Sequence, residues 1–200
     1  MSDQPETRYQ VLARKYRPET FDDLVGQEAM VRTLTNAFAS GRIAQGFMLT
    51  GVRGVGKTTT AINLAAGLVE RGARVLLVDL DPQGNASSSL GIDTRDLENT
   101  IYDVLIQEVP LEDAVEPTAV KNLFIVPSNI NLAGAEIELV SAFGREGRLR
   151  NAIAPVADQW DYILIDCPPS VGLLTVNALT AATEIITPVQ TEYIPLEGIE

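Results

Sequence analysis

Gly51-Val52-Arg53-Gly54-Val55-Gly56-Lys57-Thr58 is the stretch that decides the fold. It matches G-x-x-x-x-G-K-[ST] and stands between a short apolar run, residues 46–50, and a helical stretch, residues 58–71, closed by Gly72. Each part has a physical reason. Gly51, Gly54 and Gly56 let successive backbone N–H groups curl around an anion without Cβ collisions, and the helix that follows turns its positive end toward that anion. Lys57 is placed to reach the β- and γ-oxygens of a triphosphate, and Thr58 offers a hydroxyl to Mg²⁺. The expected nucleotide-binding segment is therefore Gly51, Arg53, Gly54, Val55, Gly56, Lys57, Thr58 and Thr59.

Beyond Gly72 the chain alternates apolar strands with helices. The strand runs are ARVLLVDLD (73–81), NLFIVPS (122–128), DYILIDCP (161–168) and EIITPVQ (184–190), with helical stretches between them near 99–106, over 145–158 and near 173–182. Val75 to Val78 and Ile163 to Ile165 are continuously apolar, which suits strands of a parallel sheet covered on both faces. The expected fold is α/β: a P-loop NTPase with a doubly wound, mostly parallel sheet and helices on both faces. Before it lies a polar lead-in. Residues 28–40 place Met30, Val31, Leu34, Ala37 and Phe38 at helical spacing, so the chain divides into a lead-in with one helix (1–45) and the P-loop domain (46–200). Arg145, Arg148 and Arg150 read as the solvated face of a helix whose other side carries Leu149, Ala152, Ile153 and Val156.

Two further constellations carry chemistry. Tyr162-Ile163-Leu164-Ile165-Asp166 is an apolar strand ending in a carboxylate, as required to bring negative charge to the shell of a magnesium ion. The position after Asp166, where many P-loop ATPases carry a glutamate that polarises water, is Cys167. Hydrolysis must then be slow, or the water must be positioned from elsewhere. Cys167 itself reads as a small buried filler. The third constellation, Asp79-Leu80-Asp81-Pro82-Gln83-Gly84-Asn85, follows the second strand, where ligands of parallel sheets gather, and its carboxylates can converge on the γ-phosphate.

Composition excludes other chemistries. The chain of 200 residues has no histidine, so it holds no Ser-His-Asp or Cys-His nucleophile system and no imidazole ligand to a metal. One cysteine forms neither an internal disulfide nor a multi-cysteine zinc site, and it fits a reducing, cytoplasmic setting. The net charge of −12 is uneven: residues 1–60 hold 8 Lys/Arg against 6 Asp/Glu, and residues 61–200 hold 7 against 21. Bulk charge therefore gives no attraction for a polyphosphate backbone, and a nucleic-acid contact would need a local basic patch. No apolar run is long enough to span a membrane.

From Thr58 onward, TTTAINLAAGLVERGARVLLVDLDPQGNASSSLGI, FIVPSNINLAGAEIEL, YILIDCPPSVGLLTVNAL and ITPVQTEYIPLEGIE resemble the ParA/Soj family of chromosome and plasmid partition ATPases. The resemblance implies ATP and Mg²⁺ as cofactors and a homodimer formed on ATP. It also implies nonspecific DNA binding, a ParB-type activator, and a cytoplasmic, nucleoid-associated protein without membrane contact. By position, Lys57 and Asp81 are the catalytic residues, with Asp81 orienting the water. Thr58, Asp81 and Asp166 serve the metal, Asp166 through water. Family members carry a signature lysine that reaches the partner's nucleotide; the matching position here is Val52, and Arg53 follows where the family has glycine.

Residues 9–59 resemble something else, the start of the bacterial DNA polymerase III gamma/tau clamp-loader subunit. That resemblance implies clamp-loader subunits as partners. It ends at the P-loop, beyond which there is no four-cysteine module, no Asp-Glu strand end and no Ser-Arg-Cys motif. Three readings follow. The first is a ParA-like ATPase, expected to be cut short at its C-terminus; the second is a clamp-loader ATPase; the third is an ATP-binding module without effective hydrolysis.

Overall fold

The computed structural model describes residues 46–50 and 56–188. The predicted helix at 28–40, the lead-in, and Gly51 to Val55 of the phosphate-binding loop lie outside the described residues.

Six strands form one sheet: β1 (Gly46–Leu49), β2 (Val75–Asp79), β3 (Glu116–Pro117), β4 (Leu123–Val126), β5 (Tyr162–Asp166) and β6 (Glu184–Ile186), in the order β3-β4-β2-β5-β1-β6. All pairings are parallel except the edge pair β3–β4. Among the described residues six α-helices accompany them: α1 (Lys57–Glu70), α2 (Asn85–Ser89), α3 (Ile101–Ile106), α4 (Leu132–Val140), α5 (Arg148–Ile153) and α6 (Leu173–Ala181).

Strand alternation builds the two cores. Val75 and Leu77 of β2, with Phe47, Leu49 and Leu164, pack against Ala61, Leu64 and Leu68 of α1. Leu76 and Val78, with Met48, Ile163 and Ile165, turn to the other face and meet residues of α3 to α6. A strand buried on both faces has no polar alternate positions, which is why these runs are continuously apolar.

The order of strands fixes the site. The chain goes from β1 to β2 and outward to β4, then returns to lay β5 between β2 and β1. The C-terminal ends of β1, β2 and β5 therefore adjoin at the switch point, with Leu49 and Asp79 both in register with Asp166.

Several elements differ from the sequence reading. The sequence reading assigns no helix to the stretch after DPQGN, yet Asn85 opens the five-residue helix α2. The edge strand β3 and the 3-10 turn Leu111–Ala114 carry no periodic signal long enough to read. The helix expected over 145–158 is α-helical only over Arg148–Ile153, with a 3-10 turn following at Ala157–Gln159. Its arginines are not all solvated either. The Arg148 side chain is 17% exposed and pairs with Glu108 at 3.0 Å, while its Nη1 donates to the carbonyl of Leu105 at 2.8 Å.

Candidate nucleotide site

Lys57 and Thr58 are the first two residues of α1, and Gly56, just before them, has φ 85°. That left-handed backbone is available to glycine at little cost and lets the chain leave the loop directly into the helix. Lys57 is buried, and burial lowers its pKa against the opposing pull of Asp166 and then Asp81. A desolvated ammonium facing carboxylates is held ready for a more negative ligand.

Thr58 meets β5. Its hydroxyl donates to Asp166 Oδ2 at 2.6 Å, joining residues 108 positions apart. The other carboxylate oxygen of Asp166, Oδ1, is buried and has no hydrogen-bond partner among the described residues. The Asp166 pKa is pushed up to about 7, chiefly by burial and further by Asp79 and Asp81, against the Thr58 hydrogen bond and Lys57. A buried carboxylate with one orphan oxygen beside a hydroxyl is a group short of a cation or donor.

Asp79 and Asp81, one residue apart in spacing from each other's neighbour Leu80, have different work. Asp79 is wholly buried and accepts from the Ser87 hydroxyl at 2.8 Å, the Ser87 N–H at 2.9 Å and the Asp81 N–H at 3.1 Å. Burial pushes its pKa up to about 6 despite these donors. The Ser87 oxygen in turn accepts from the Ser128 N–H at 3.0 Å, so Asp79 ties α2 and the loop after β4 to the end of β2. All the donors that meet the Asp79 carboxylate come from Ser87 and the Asp81 backbone. Asp81 accepts from the Gln83 N–H at 2.9 Å, an Asx-type turn that fixes the loop carrying it.

Cys167 is buried, and its thiol is held well above the usual range, first by burial and then by Asp166. It is the filler that the sequence suggests. The Ser87–Ser128 link carried no sequence signal, because a polar run such as NASSS has no period that reveals which serine turns inward.

Among the described residues no group of three or more Asp, Glu or Cys side chains is arranged to cage a metal. Thr58 and Asp166 fit a different arrangement, that of Mg²⁺, which keeps waters and phosphate oxygens and takes only one or two protein ligands. The donor set and the orphan Oδ1 are consistent with such an ion arriving together with a phosphate ligand.

The parallel sheet, the lysine and threonine that open α1, and the carboxylate at the end of β5 define a P-loop NTPase fold. A family model described as "AAA domain" matches residues 50–200, and the chain belongs to that family. The ParA/Soj resemblance is borne out by curated relatives. The chain is 56% identical over 146 residues to the sporulation initiation inhibitor protein Soj of Bacillus subtilis (strain 168), covering 73% of this chain and 58% of that protein. It is 54% identical to the chromosome partitioning protein ParA of Myxococcus xanthus (strain DK1622), over 73% of this chain and 52% of that protein. The chain thus spans a little over half the length of these relatives. Among solved structures, cobyrinic acid a,c-diamide synthase from Mycobacterium smegmatis, with bound ATP analogue and magnesium, is similar at a TM-score of 0.75 and 42% identity, over 78% of this chain and 64% of that one. The matched region begins at residue 50, so of the stretch with the clamp-loader resemblance, residues 9–59, only 50–59 lie inside it.

Proposed function

We propose that the chain carries an ATP-binding, ATP-hydrolysing site of the ParA/Soj type, serving as a nucleotide-dependent switch in chromosome or plasmid partitioning. The observation that carries this reading is the hydrogen bond from Thr58 to Asp166 at the switch point of the sheet, beside the buried Lys57. Soj and ParA relatives above 50% identity support it, as does a neighbour solved with an ATP analogue and magnesium.

In this reading Gly51, Arg53, Gly54, Val55, Gly56 and Thr59 supply backbone around the triphosphate, and Lys57 neutralises its terminal oxygens. Thr58, Asp81 and Asp166 would hold Mg²⁺, Asp166 through water, and the ion when bound would supply charge withdrawal from the phosphate oxygens. Asp81 orients the attacking water. Cys167, in place of a glutamate, leaves no base next to Asp166, so turnover is slow. The homodimer forms on ATP, a ParB-type partner accelerates hydrolysis, and the dimer meets nonspecific DNA in the cytoplasm at the nucleoid. Residues 1–45 form a separate lead-in to the ATPase domain at 46–200.

A second reading, ATP binding without effective hydrolysis, is favoured by Val52 at the position of the signature lysine, because valine cannot contact a partner's nucleotide. The comparisons do not favour the clamp-loader alternative. ATP turnover with Mg²⁺, measured for the wild type and Lys57→Ala while light scattering follows mass with and without ATP, separates the readings. Lysine-dependent turnover with an ATP-driven dimer supports the switch. Binding with neither supports the inert module.

A further inference from the structure

A cavity of about 560 Å³ lies between the end of α3, the 3-10 turn Leu111–Ala114 and α5. α3 starts beside Pro127, just past the end of β4, and runs back toward the strand starts, so the cavity is remote from Asp166. Its volume is that of a small-molecule site. Val104, Val109, Leu111, Ala152 and Val156 make its walls apolar. Phe143 stands at its edge, fully exposed to solvent, an arrangement whose burial is favourable for any apolar occupant.

The charged part of the lining is Arg148 with Glu108 and Glu112, and Asn151 adds an amide. Arg148 is mostly buried, and its Nε is a buried donor with no partner among the described residues. Its Nη2 is paired at 3.0 Å with Glu108, whose side chain is 73% exposed. Glu108 has φ 58°, a left-handed conformation that side-chain-bearing residues rarely adopt. A carboxylate held by a strained backbone, largely in water, thus covers a guanidinium in the wall of an apolar hollow. Glu112 is on the same lining, and Arg148 is its one cation, so an anionic head group has Arg148 as its seat.

We propose that this cavity binds an amphiphilic monocarboxylate, with its hydrocarbon chain among the apolar walls and under Phe143, and its carboxylate on Arg148 in place of Glu108. Guanidinium–carboxylate pairing is a charge-assisted contact, so a ligand acid free of backbone strain can take the Nη2 donor that Glu108 now holds. The site is independent of the nucleotide reading.

The test is calorimetric titration of the full chain with sodium octanoate and with 1-octanol. Saturable octanoate binding is expected, tightened severalfold in Glu108→Gln, which removes the internal competitor, and weakened about tenfold in Arg148→Gln, which removes a charge-assisted contact. Octanol binding should respond to neither variant. Absence of saturable octanoate binding, or affinity unchanged in both variants, overturns the proposal. Equal behaviour of octanol and octanoate also overturns it, by showing an apolar hollow without a carboxylate seat. Should Arg148→Gln fail to fold, Glu108→Gln decides alone, because it leaves the Arg148 bond to Leu105 in place. Self-association of the chain that buries Phe143 and excludes octanoate would assign the hollow to a protein contact and overturn it as well.

Discussion

Thr58 and Asp166 face each other at 2.6 Å from the start of α1 and the end of β5, the hydroxyl donating to the carboxylate. Because Asp166 Oδ1 has no partner, this hydroxyl is the one hydrogen-bond donor to the buried carboxylate among the described residues. Losing it leaves the whole group without a donor at a site where burial already disfavours its charge.

Thr58→Ala is therefore expected to weaken Mg²⁺-dependent ATP binding by at least about ten- to a hundredfold, the loss seen when even an outer partner of a metal site is removed. Thr58→Ser should retain most of it. Titration with ATP in the presence and absence of Mg²⁺ is the measurement. A loss in Thr58→Ala that is identical without Mg²⁺ would show that the hydroxyl serves the phosphate or the fold, with no part in the metal site.

Ser87→Ala removes the hydroxyl that donates to Asp79 and accepts from the Ser128 N–H, leaving two buried groups each short of a partner. The expected cost is about 2–4 kcal/mol, since each unsatisfied buried group costs about 1–3 kcal/mol and relaxation recovers part. Urea unfolding should show a lower midpoint with an unchanged slope. A change below about 0.5 kcal/mol, the usual surface range, would mean that the tie between α2 and the loop after β4 is incidental.

The strands and the phosphate-binding pattern were legible because both depend on local rules. Val75 to Val78 and Ile163 to Ile165 announce two-sided burial by their own composition, and Lys57 and Thr58 follow from a fixed spacing. Asp166 was legible for the same reason, as the polar end of an apolar strand. What stayed hidden was decided across distance. Nothing in DLDPQGN says that Asp79 turns inward to Ser87 while Asp81 stays on the loop, because that depends on where α2 packs. Arg148 reads as solvated on a helical wheel, yet the end of α3, 42 residues away, supplies carbonyls that draw it in. β3 has two residues and pairs only because β4 is already placed.

Gly84 shows how tightly that region is set. It has φ 59° at the start of α2, and a Cβ there would meet the Ser128 carbonyl oxygen at 3.0 Å. Gly84→Ala combines left-handed strain with a contact against backbone, which cannot swing away. A destabilisation of about 1–3 kcal/mol is expected. Thermal melting of Gly84→Ala beside Gly91→Ala isolates the steric part, because Gly91 also has positive φ but nothing lies within 4 Å of its Cβ position. Equal losses in the two variants would assign the whole effect to backbone strain.

Cys167 gives a probe of the site that needs no substitution. It is the sole cysteine of the chain, follows Asp166 directly, and its backbone N–H donates to the Leu49 carbonyl at 3.3 Å. Burial excludes reagents and raises the thiol pKa, so both the access and the thiolate that disulfide exchange needs are suppressed in the folded state. Reaction with an aromatic disulfide reagent at neutral pH is expected to be far slower than for the urea-unfolded chain, and its rate should follow opening of the ends of β1 and β5. ATP with Mg²⁺, by binding the closed form, should slow it further in proportion to occupancy. Rapid native labelling would contradict the packing around β5, and labelling unchanged by saturating ATP would separate nucleotide binding from the order of this strand end.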